Sequence, residues 1–231
     1  MTMKLKIIKG FQISIFLKFL FSTLIFLLYS SSVSADIAKA ITPKPEHSSQ
    51  CIQIIKALER YHYLEKNLGN SMSSTILDRY LNRLDPGKQL FTTQNVDQLK
   101  QYQYRFDNDL KKGRLDTAFT IFNLYMDRSK ERLEYILTLI KTWEKNLDFT
   151  KNESMTIDPD LRQWKDNKDA LYFLWKKELK NHIISLMLDD QKNALISDTL
   201  EKIYSNRLHR LLQTNSNDIF QIFMNSVTAS F

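Results

Sequence analysis

Residues 114–231 contain no glycine, and the whole chain of 231 residues holds only four. Tight turns and the loops that cradle phosphates or oxyanions depend on glycine, because it reaches positive φ and lets the backbone approach a ligand closely. A helix needs none, and an internal glycine destabilises it by about 1 kcal/mol relative to alanine. The second half of the chain therefore predicts helices and disfavours a catalytic centre built from loops.

The first 35 residues have the pattern of a secretory signal peptide. An apolar run covers residues 19–29, and Val33 and Ala35 are the small residues of a cleavage site that we place between Ala35 and Asp36. The positively charged amino-terminal region of the pattern is supplied by four lysines, Lys4, Lys6, Lys9 and Lys18. An uncleaved membrane anchor is the alternative, which the run disfavours because it is shorter than the ~20 residues of a membrane span.

Removal of the signal peptide changes the charge of the chain. Positions 1–35 hold four lysines and no acidic residue, so the formal net charge falls from +7 to +3. A net charge of +3, with positive and negative residues interspersed, is typical of an ordinary solvated surface. We therefore expect no nucleic-acid partner, and membrane contact only through the signal peptide during export.

The residues that most often build chemical sites are few and scattered. Cys51 is the only cysteine, so no internal disulfide can form, and we interpret it as a small apolar residue on a helix face rather than a reactive thiol. The histidines His47, His62, His182 and His209 show no metal-ligand spacing. His62, between two tyrosines, is expected to be a hydrogen-bonded structural residue. The sequence predicts no catalytic residue, no metal and no cofactor.

Apolar residues recur at helical spacing from about residue 50 onward, and no stretch keeps a period of two. This pattern predicts an all-α array of about seven helices over residues 50–231, preceded by a flexible leader over residues 36–49. The expected helices cover Ile52–Leu68, Ser71 or Ser73 to Leu84, Thr92 or Thr93 to Gly113, Leu115–Asn146, Asp169–Met187, Gln191–Leu212 and a last one after Asn215. Residues 148–168 predict an ordered loop pinned by Phe149 and Trp164.

Capping residues are expected at the starts of two helices. Ser71 or Ser73 is the candidate cap of the second helix, and Thr92 or Thr93 begins the third. Asn215 and Asp218 have the spacing of a capping box for the last helix.

Charged residues next to the apolar stripes are interpreted in two ways. On the fourth helix we place Glu131, Glu134, Arg128, Lys130 and Arg132 on the side that faces water. Elsewhere Asp78-Arg79 and Asp218 are interpreted either as ion pairs between helices or as caps and surface charges. In the sixth helix the apolar stripe is taken to include Leu195 and Ile203.

A series of short motifs, in a fixed order from about residue 55 to residue 231, resembles bacterial tail-specific (C-terminal processing) proteases. The matches are His62-Tyr63, Ser74 to Asp85, Gly113-Arg114-Leu115, Phe122 to Tyr125, Leu147 to Thr150, Trp164, Leu174-Trp175, Lys180-Asn181, Leu211 to Phe220 and Met224-Asn225. Each motif is weak alone, but their collinear order over nearly the whole chain is specific.

The resemblance implies a periplasmic protein and a helical N-terminal domain. In this family that domain is followed by an Asp-Pro-His-Thr stretch, a PDZ domain and a Ser–Lys protease domain, whereas this chain stops at Phe231, before that stretch. No catalytic residue of the family maps onto it. The implied partners are the PDZ and protease portion, an envelope adaptor or a protein substrate.

Three functions are compatible with these observations. The first is a non-catalytic scaffold from a truncated or split tail-specific protease. The second is a freestanding interaction module or regulator of a complete protease. The third, a peptidase in its own right, has no nucleophile, base and oxyanion donors that can be assembled. We also expect an exposed apolar patch near the last helix, at Phe220, Phe223 and Phe231.

Overall fold

In the computed structural model the described residues are 40–61, 67–189 and 192–231, and over these the predicted all-α class is confirmed. The predicted signal peptide and His62 lie outside the described residues. The helices are α1 (Pro45–Tyr61), α2 (Asn70–Leu84), α3 (Thr93–Leu99), α4 (Phe106–Lys111), α5 (Asp116–Ile140), α6 (Trp143–Asn146), α7 (Lys168–Leu188), α8 (Asn193–Leu212) and α9 (Ser216–Thr228), with 3-10 helices at Lys100–Tyr102 and Pro159–Leu161.

No β-strand is found in these described ranges, where one isolated parallel bridge joins Thr92 to Lys165. Among the helices of the same ranges, none combines the length and the apolar character that crossing a membrane requires.

A first core is formed by buried side chains of α1 to α4, the first half of α5, and α9. Tyr80 on α2 and Phe106 on α4 both pack against Phe223 on α9, with ring centroids 5.0 and 5.2 Å apart. The Tyr80 hydroxyl donates to the Ala118 carbonyl at 3.1 Å, so its polar end is satisfied inside an apolar cluster. Aromatic packing thus joins α2 and α4 to α9, the last helix of the described chain.

A second core lies between the second half of α5, α6, α7 and α8. Its centre is Trp175, which is fully buried and whose indole N–H donates to the Gln89 carbonyl at 2.6 Å. Helix α5 contributes to both cores, because its 25 residues cover about 37 Å. Phe122 belongs to the first core, and Ile136 belongs to the second.

The segment expected to be a flexible leader is ordered from residue 40, and that expectation is wrong for residues 40–49. Asn123 on α5 bonds both backbone groups of Ile41, accepting from its N–H at 3.0 Å and donating to its carbonyl at 2.9 Å. Helix α1 then begins at Pro45, whose fixed φ suits a first helical position. His47 is buried one turn later. These contacts hold the segment against α5 and α9.

The helix boundaries differ from prediction at three places. Helix α1 is described as far as Tyr61, and Leu68, which was expected within it, is buried in non-helical backbone before α2. The predicted third helix is split, because the buried Ser73 hydroxyl accepts the Phe106 N–H at 2.9 Å and so removes it from a continuous helical ladder. The predicted fourth helix ends at Ile140, and Thr142 takes a non-helical conformation before the short helix α6.

One of the two predicted caps is confirmed, at the last helix, and the expected start near Thr92 has a capping box that was not predicted. Thr92 forms a capping box with Asn95 at the start of α3, and Asn215 forms one with Asp218 at the start of α9. The prediction for α2 is wrong, since this helix begins at Asn70 after Gly69 and has no side-chain cap.

The segment that joins α6 to α7 is the ordered loop that the sequence predicts. Phe149 packs edge-on against Trp143, with ring centroids 5.8 Å apart, and Trp164 lies 6.0 Å from the Phe91 ring. Both expected pins therefore hold the loop, one against each core.

Candidate functional site

The histidines and the cysteine singled out by the sequence have structural partners. His47 lies stacked on Phe220, and its Nε2 is 2.9 Å from Asn217 Oδ1. The thiol of Cys51 is buried beside the Leu110 carbonyl, and burial raises its pKa to about 11. A thiol of that kind is inert at neutral pH, in agreement with the interpretation of Cys51 as a small apolar residue.

The other two described histidines lie on separate helices. His182 Nδ1 is 2.9 Å from the Tyr204 hydroxyl, and His209 Nε2 is 2.8 Å from the Gln213 amide. Across residues 40–61, 67–189 and 192–231, no three His, Cys, Asp or Glu side chains are grouped as metal ligands would be.

The best-developed polar cluster of the second core surrounds Glu178 on α7. Its carboxylate accepts from Arg132 Nη2 at 2.8 Å and from Arg162 Nη1 at 3.1 Å. Arg162 also donates from Nη1 to the Gly87 carbonyl at 3.3 Å, and Lys88 donates to the Arg162 carbonyl. Since Glu178 is buried with two guanidinium groups, the cluster keeps an excess of positive charge.

A second carboxylate on α5 joins this helix to α7. Glu131 accepts from Arg128 at 2.6 Å, Lys168 at 3.0 Å and the Tyr172 hydroxyl at 2.7 Å. Burial alone would raise the pKa of Glu131, but these three hydrogen bonds together outweigh it and hold the pKa below its ordinary value. The expectation that Glu131, Arg128 and Arg132 face open water is therefore wrong, because α7 covers that side of α5.

Where the two cores meet, a cleft of about 450 Å³ opens between α2, α5, α8 and α9; we call it the arginine cleft. Its polar lining includes four arginines and a serine, Arg83, Arg132, Arg207, Arg210 and Ser129. Its apolar walls come from both cores, with Phe122 on one side and Leu133 on the other. No aspartate or glutamate is among the described residues that line it.

Two buried polar atoms of the arginine cleft have no hydrogen-bond partner within the described part of the chain. They are the Ser129 hydroxyl and Arg132 Nε. The sequence analysis missed this cleft because its arginines come from three helices that are distant in sequence. The signal that was available is Arg207 and Arg210, which lie three residues apart and therefore on one face of α8.

Exposed apolar side chains are concentrated on a different part of the molecule from the one expected. Phe223 and Phe231 are buried, and Phe220 is half-buried against His47, so the patch predicted at the last helix is wrong. The sequence could not decide this, because α9 uses nearly its whole apolar face to close the first core.

Large apolar side chains are instead exposed in residues 157–212, at Ile157, Leu161, Phe173, Ile184, Met187, Leu188, Leu195, Ile203 and Leu212. Only Tyr61 and Tyr104 are comparably exposed elsewhere in the described ranges. Leu195 and Ile203 were assigned to the apolar face of the sixth helix, whereas Ile196, Leu200 and Tyr204 are the residues of α8 that are buried. We call the exposed side chains of residues 157–212 the apolar surface.

The sequence of this chain is similar to that of a known protein family. Residues 54–231 match the family model described as Tail specific protease N-terminal domain. The tail-specific protease of Haemophilus influenzae is 34% identical over 170 residues, which cover 73% of this chain and 24% of that protein. The chain thus spans about a quarter of the length of this curated relative. A match over most of the chain by both comparisons shows that it belongs to the tail-specific protease family and carries the N-terminal domain of that family.

Proposed function

We propose that this chain is a non-catalytic docking scaffold, with the role of the N-terminal domain of a periplasmic tail-specific protease. The observation that carries the proposal is the apolar surface, which gathers nine large exposed side chains within residues 157–212. Large apolar side chains exposed in this number on a folded domain mark a candidate protein interaction site when rigid structure supports them. Helices α7 and α8 supply that rigidity.

Two shallow grooves add shape to the apolar surface. One is lined by Phe149, Ile157 and Ile184, and another on the far side of the same loop is lined by Leu161 and Phe173. Lysines border both grooves, and Lys177 lines each of them. A partner segment with apolar side chains and flanking acidic groups fits this chemistry.

The test is binding without cleavage. The purified full chain is mixed with the remaining part of the Haemophilus influenzae protease, produced as a separate chain, and association is followed by titration calorimetry. We expect association and, in a separate assay, no cleavage of an unfolded protein with an apolar carboxyl terminus by this chain alone. Cleavage that survives purification would overturn the non-catalytic part of the proposal.

Variants locate the surface that docks. Phe173→Ser removes an apolar side chain that is 53% exposed, and Tyr104→Ser removes one that is 55% exposed outside residues 157–212. We expect about tenfold weaker association for the first variant and no change for the second, because only the first belongs to the apolar surface. Equal effects of the two substitutions, or no association at all, would contradict docking through this surface.

The predicted signal peptide is tested separately. Amino-terminal sequencing of the chain recovered from the envelope of an expressing bacterium should begin at Asp36. A chain that keeps its first 35 residues and sediments with membranes would support an anchor instead.

A further inference from the structure

The arginine cleft presents concentrated positive charge that the protein itself does not neutralise. Arg132 is paired with Glu178, but that carboxylate is shared with Arg162. Within the described ranges, Arg83, Arg207 and Arg210 form no ion pair that offsets their charge. Arg83, Arg207 and Arg210 are exposed, so water screens much of their mutual repulsion, but an anion that enters the arginine cleft is attracted by all four positive charges.

The two unpartnered polar atoms point to what the arginine cleft accepts. Ser129 is 7% exposed, and its hydroxyl lacks a partner among the described residues. Arg132 Nε carries an N–H, which can only donate a hydrogen bond. Buried donors are nearly always satisfied in folded proteins, so a donor pair of this kind calls for an acceptor from outside the chain.

The apolar walls restrict the ligand further. Leu84, Leu90, Phe122, Leu133, Leu211 and Ile222 line the arginine cleft beside the arginines. A hydrated inorganic anion makes no use of such walls, whereas an apolar group gains from leaving water. A volume of about 450 Å³ is in the range of small-molecule sites.

We propose that the arginine cleft binds a small amphipathic anion, an apolar body that carries a carboxylate or phosphate group. Ser129 and Arg132 donate hydrogen bonds to the oxyanion, and the apolar body lies against the walls. The remaining arginines supply the field that favours the charged group. This inference is independent of the docking role, because the ligand is small and the lining residues are not those of the apolar surface.

Calorimetry of the full chain with three eight-carbon probes tests the chemistry. Octanoate and octyl phosphate carry an oxyanion, and octanamide has a comparable apolar body without charge. We expect at least one anion to bind with a Kd below about 1 mM and octanamide to bind about tenfold more weakly. Tighter binding of octanoate would identify a carboxylate ligand, and tighter binding of octyl phosphate would identify a phosphate ligand. Equal binding of octanamide, or binding of no anion, overturns the proposal.

A matched pair of arginines on α2 tests the location. Arg83 lines the arginine cleft, whereas Arg79, one turn earlier and exposed, does not. Arg83→Gln should weaken anion binding about fivefold or more and Arg79→Gln should leave it unchanged, although each removes one positive charge. Equal loss in both variants would mean attraction to net charge and would overturn the site.

Ser129→Ala tests the buried donor. It removes the hydroxyl while keeping a residue that favours helix, so the helical circular dichroism should be unchanged and anion binding should weaken severalfold. A folded Ser129→Ala variant that binds as tightly as the parent chain would contradict the assignment of this hydroxyl to the ligand.

Discussion

The two cores of this molecule are covered in different ways. The first core is closed by the chain itself, since α1 and α9 lie over it and even Phe231 at the end of the chain is buried. The second core leaves the apolar surface exposed over α7, α8 and the loop before them. One half of the domain is therefore closed by its own helices, and the other half carries the surface to which docking is proposed.

The buried carboxylates of the two cores also differ in how they are bound. In the first core, buried Asp85 accepts from three backbone N–H groups of residues 89–91 at 2.8 to 3.1 Å, a local turn complete in itself. In the second core, Glu178 and Glu131 bind cations from other elements of the fold. Hydrogen bonds between residues close in sequence stabilise a turn, whereas hydrogen bonds between distant elements align the helices that present a surface.

The largest expected effect tests whether the two cores unfold together. Phe223→Ala removes a ring buried between Tyr80 and Phe106 and should lower the free energy of unfolding by about 4 kcal/mol. In a Trp164→Phe background the remaining tryptophans, Trp143 and Trp175, both lie in the second core, so fluorescence reports on that region, and circular dichroism reports on all helices.

Both signals should shift to the same lower urea midpoint, because α5 runs through both cores. The control is Phe173→Ala, an exposed ring whose loss should change stability by less than about 0.5 kcal/mol. If the fluorescence midpoint stays at that of the parent chain while the circular dichroism midpoint shifts, the two cores unfold independently of each other.

A somewhat smaller effect is expected from the polar cluster of the second core. Glu178→Ala leaves Arg132 and Arg162 without their shared carboxylate and should lower the free energy of unfolding by about 3 kcal/mol. Glu201→Ala, which removes an exposed carboxylate from α8, is the matched control. Urea unfolding of both variants measures the difference, and a loss below about 1 kcal/mol for Glu178→Ala would show that solvent already screens the cluster.

The fold was predictable from sequence where a helix is amphipathic and where the residues that cap it are close to it in sequence. The stripe of α2 and the capping boxes at Thr92 and Asn215 follow from residues within a few positions of each other. The break between α3 and α4 was not predictable, because it depends on Ser73, which is 33 residues away from Phe106. Long-range bonds of this kind leave no periodicity in the sequence.

The arginine cleft and the ordered segment from residue 40 were not predicted, for the same reason. Asn123 binds Ile41 across 82 residues, and Arg83 shares a cleft with Arg207 from a separate helix. The expectation for α9 was wrong because a phenylalanine-rich last helix is equally compatible with an exposed patch and with a helix that closes a core. Only packing decides between them.

A modest effect is expected from the cap that completes the first core. Asn215→Ala removes the acceptor for the Asn217 and Asp218 N–H groups at the start of α9 and should lower stability by about 1 kcal/mol. Thermal unfolding followed by circular dichroism measures the shift, with Asn225→Ala on the exposed face of the same helix as control. A larger loss with Asn225→Ala than with Asn215→Ala would contradict the role of the capping box.

The smallest effect concerns pH and the polar edge of the second core. Burial, and then the nearby charge of Arg207, hold the pKa of His182 below its ordinary value of 6.5. The unfolded chain therefore takes up a proton at a pH where the folded chain does not. The resulting stability is complete above 6.5 and declines as the pH falls below it.

Unfolding free energies at about pH 7.5 and about pH 5.5 should show this decline, and it should be smaller in His182→Asn. The difference is expected to stay below about 1 kcal/mol, because the side chain is only half-buried and water screens the arginine. His209→Asn, on the exposed part of α8, is the control for general histidine effects. A pH dependence that is unchanged in His182→Asn would assign the acid sensitivity to other groups and remove this distinction between the two cores.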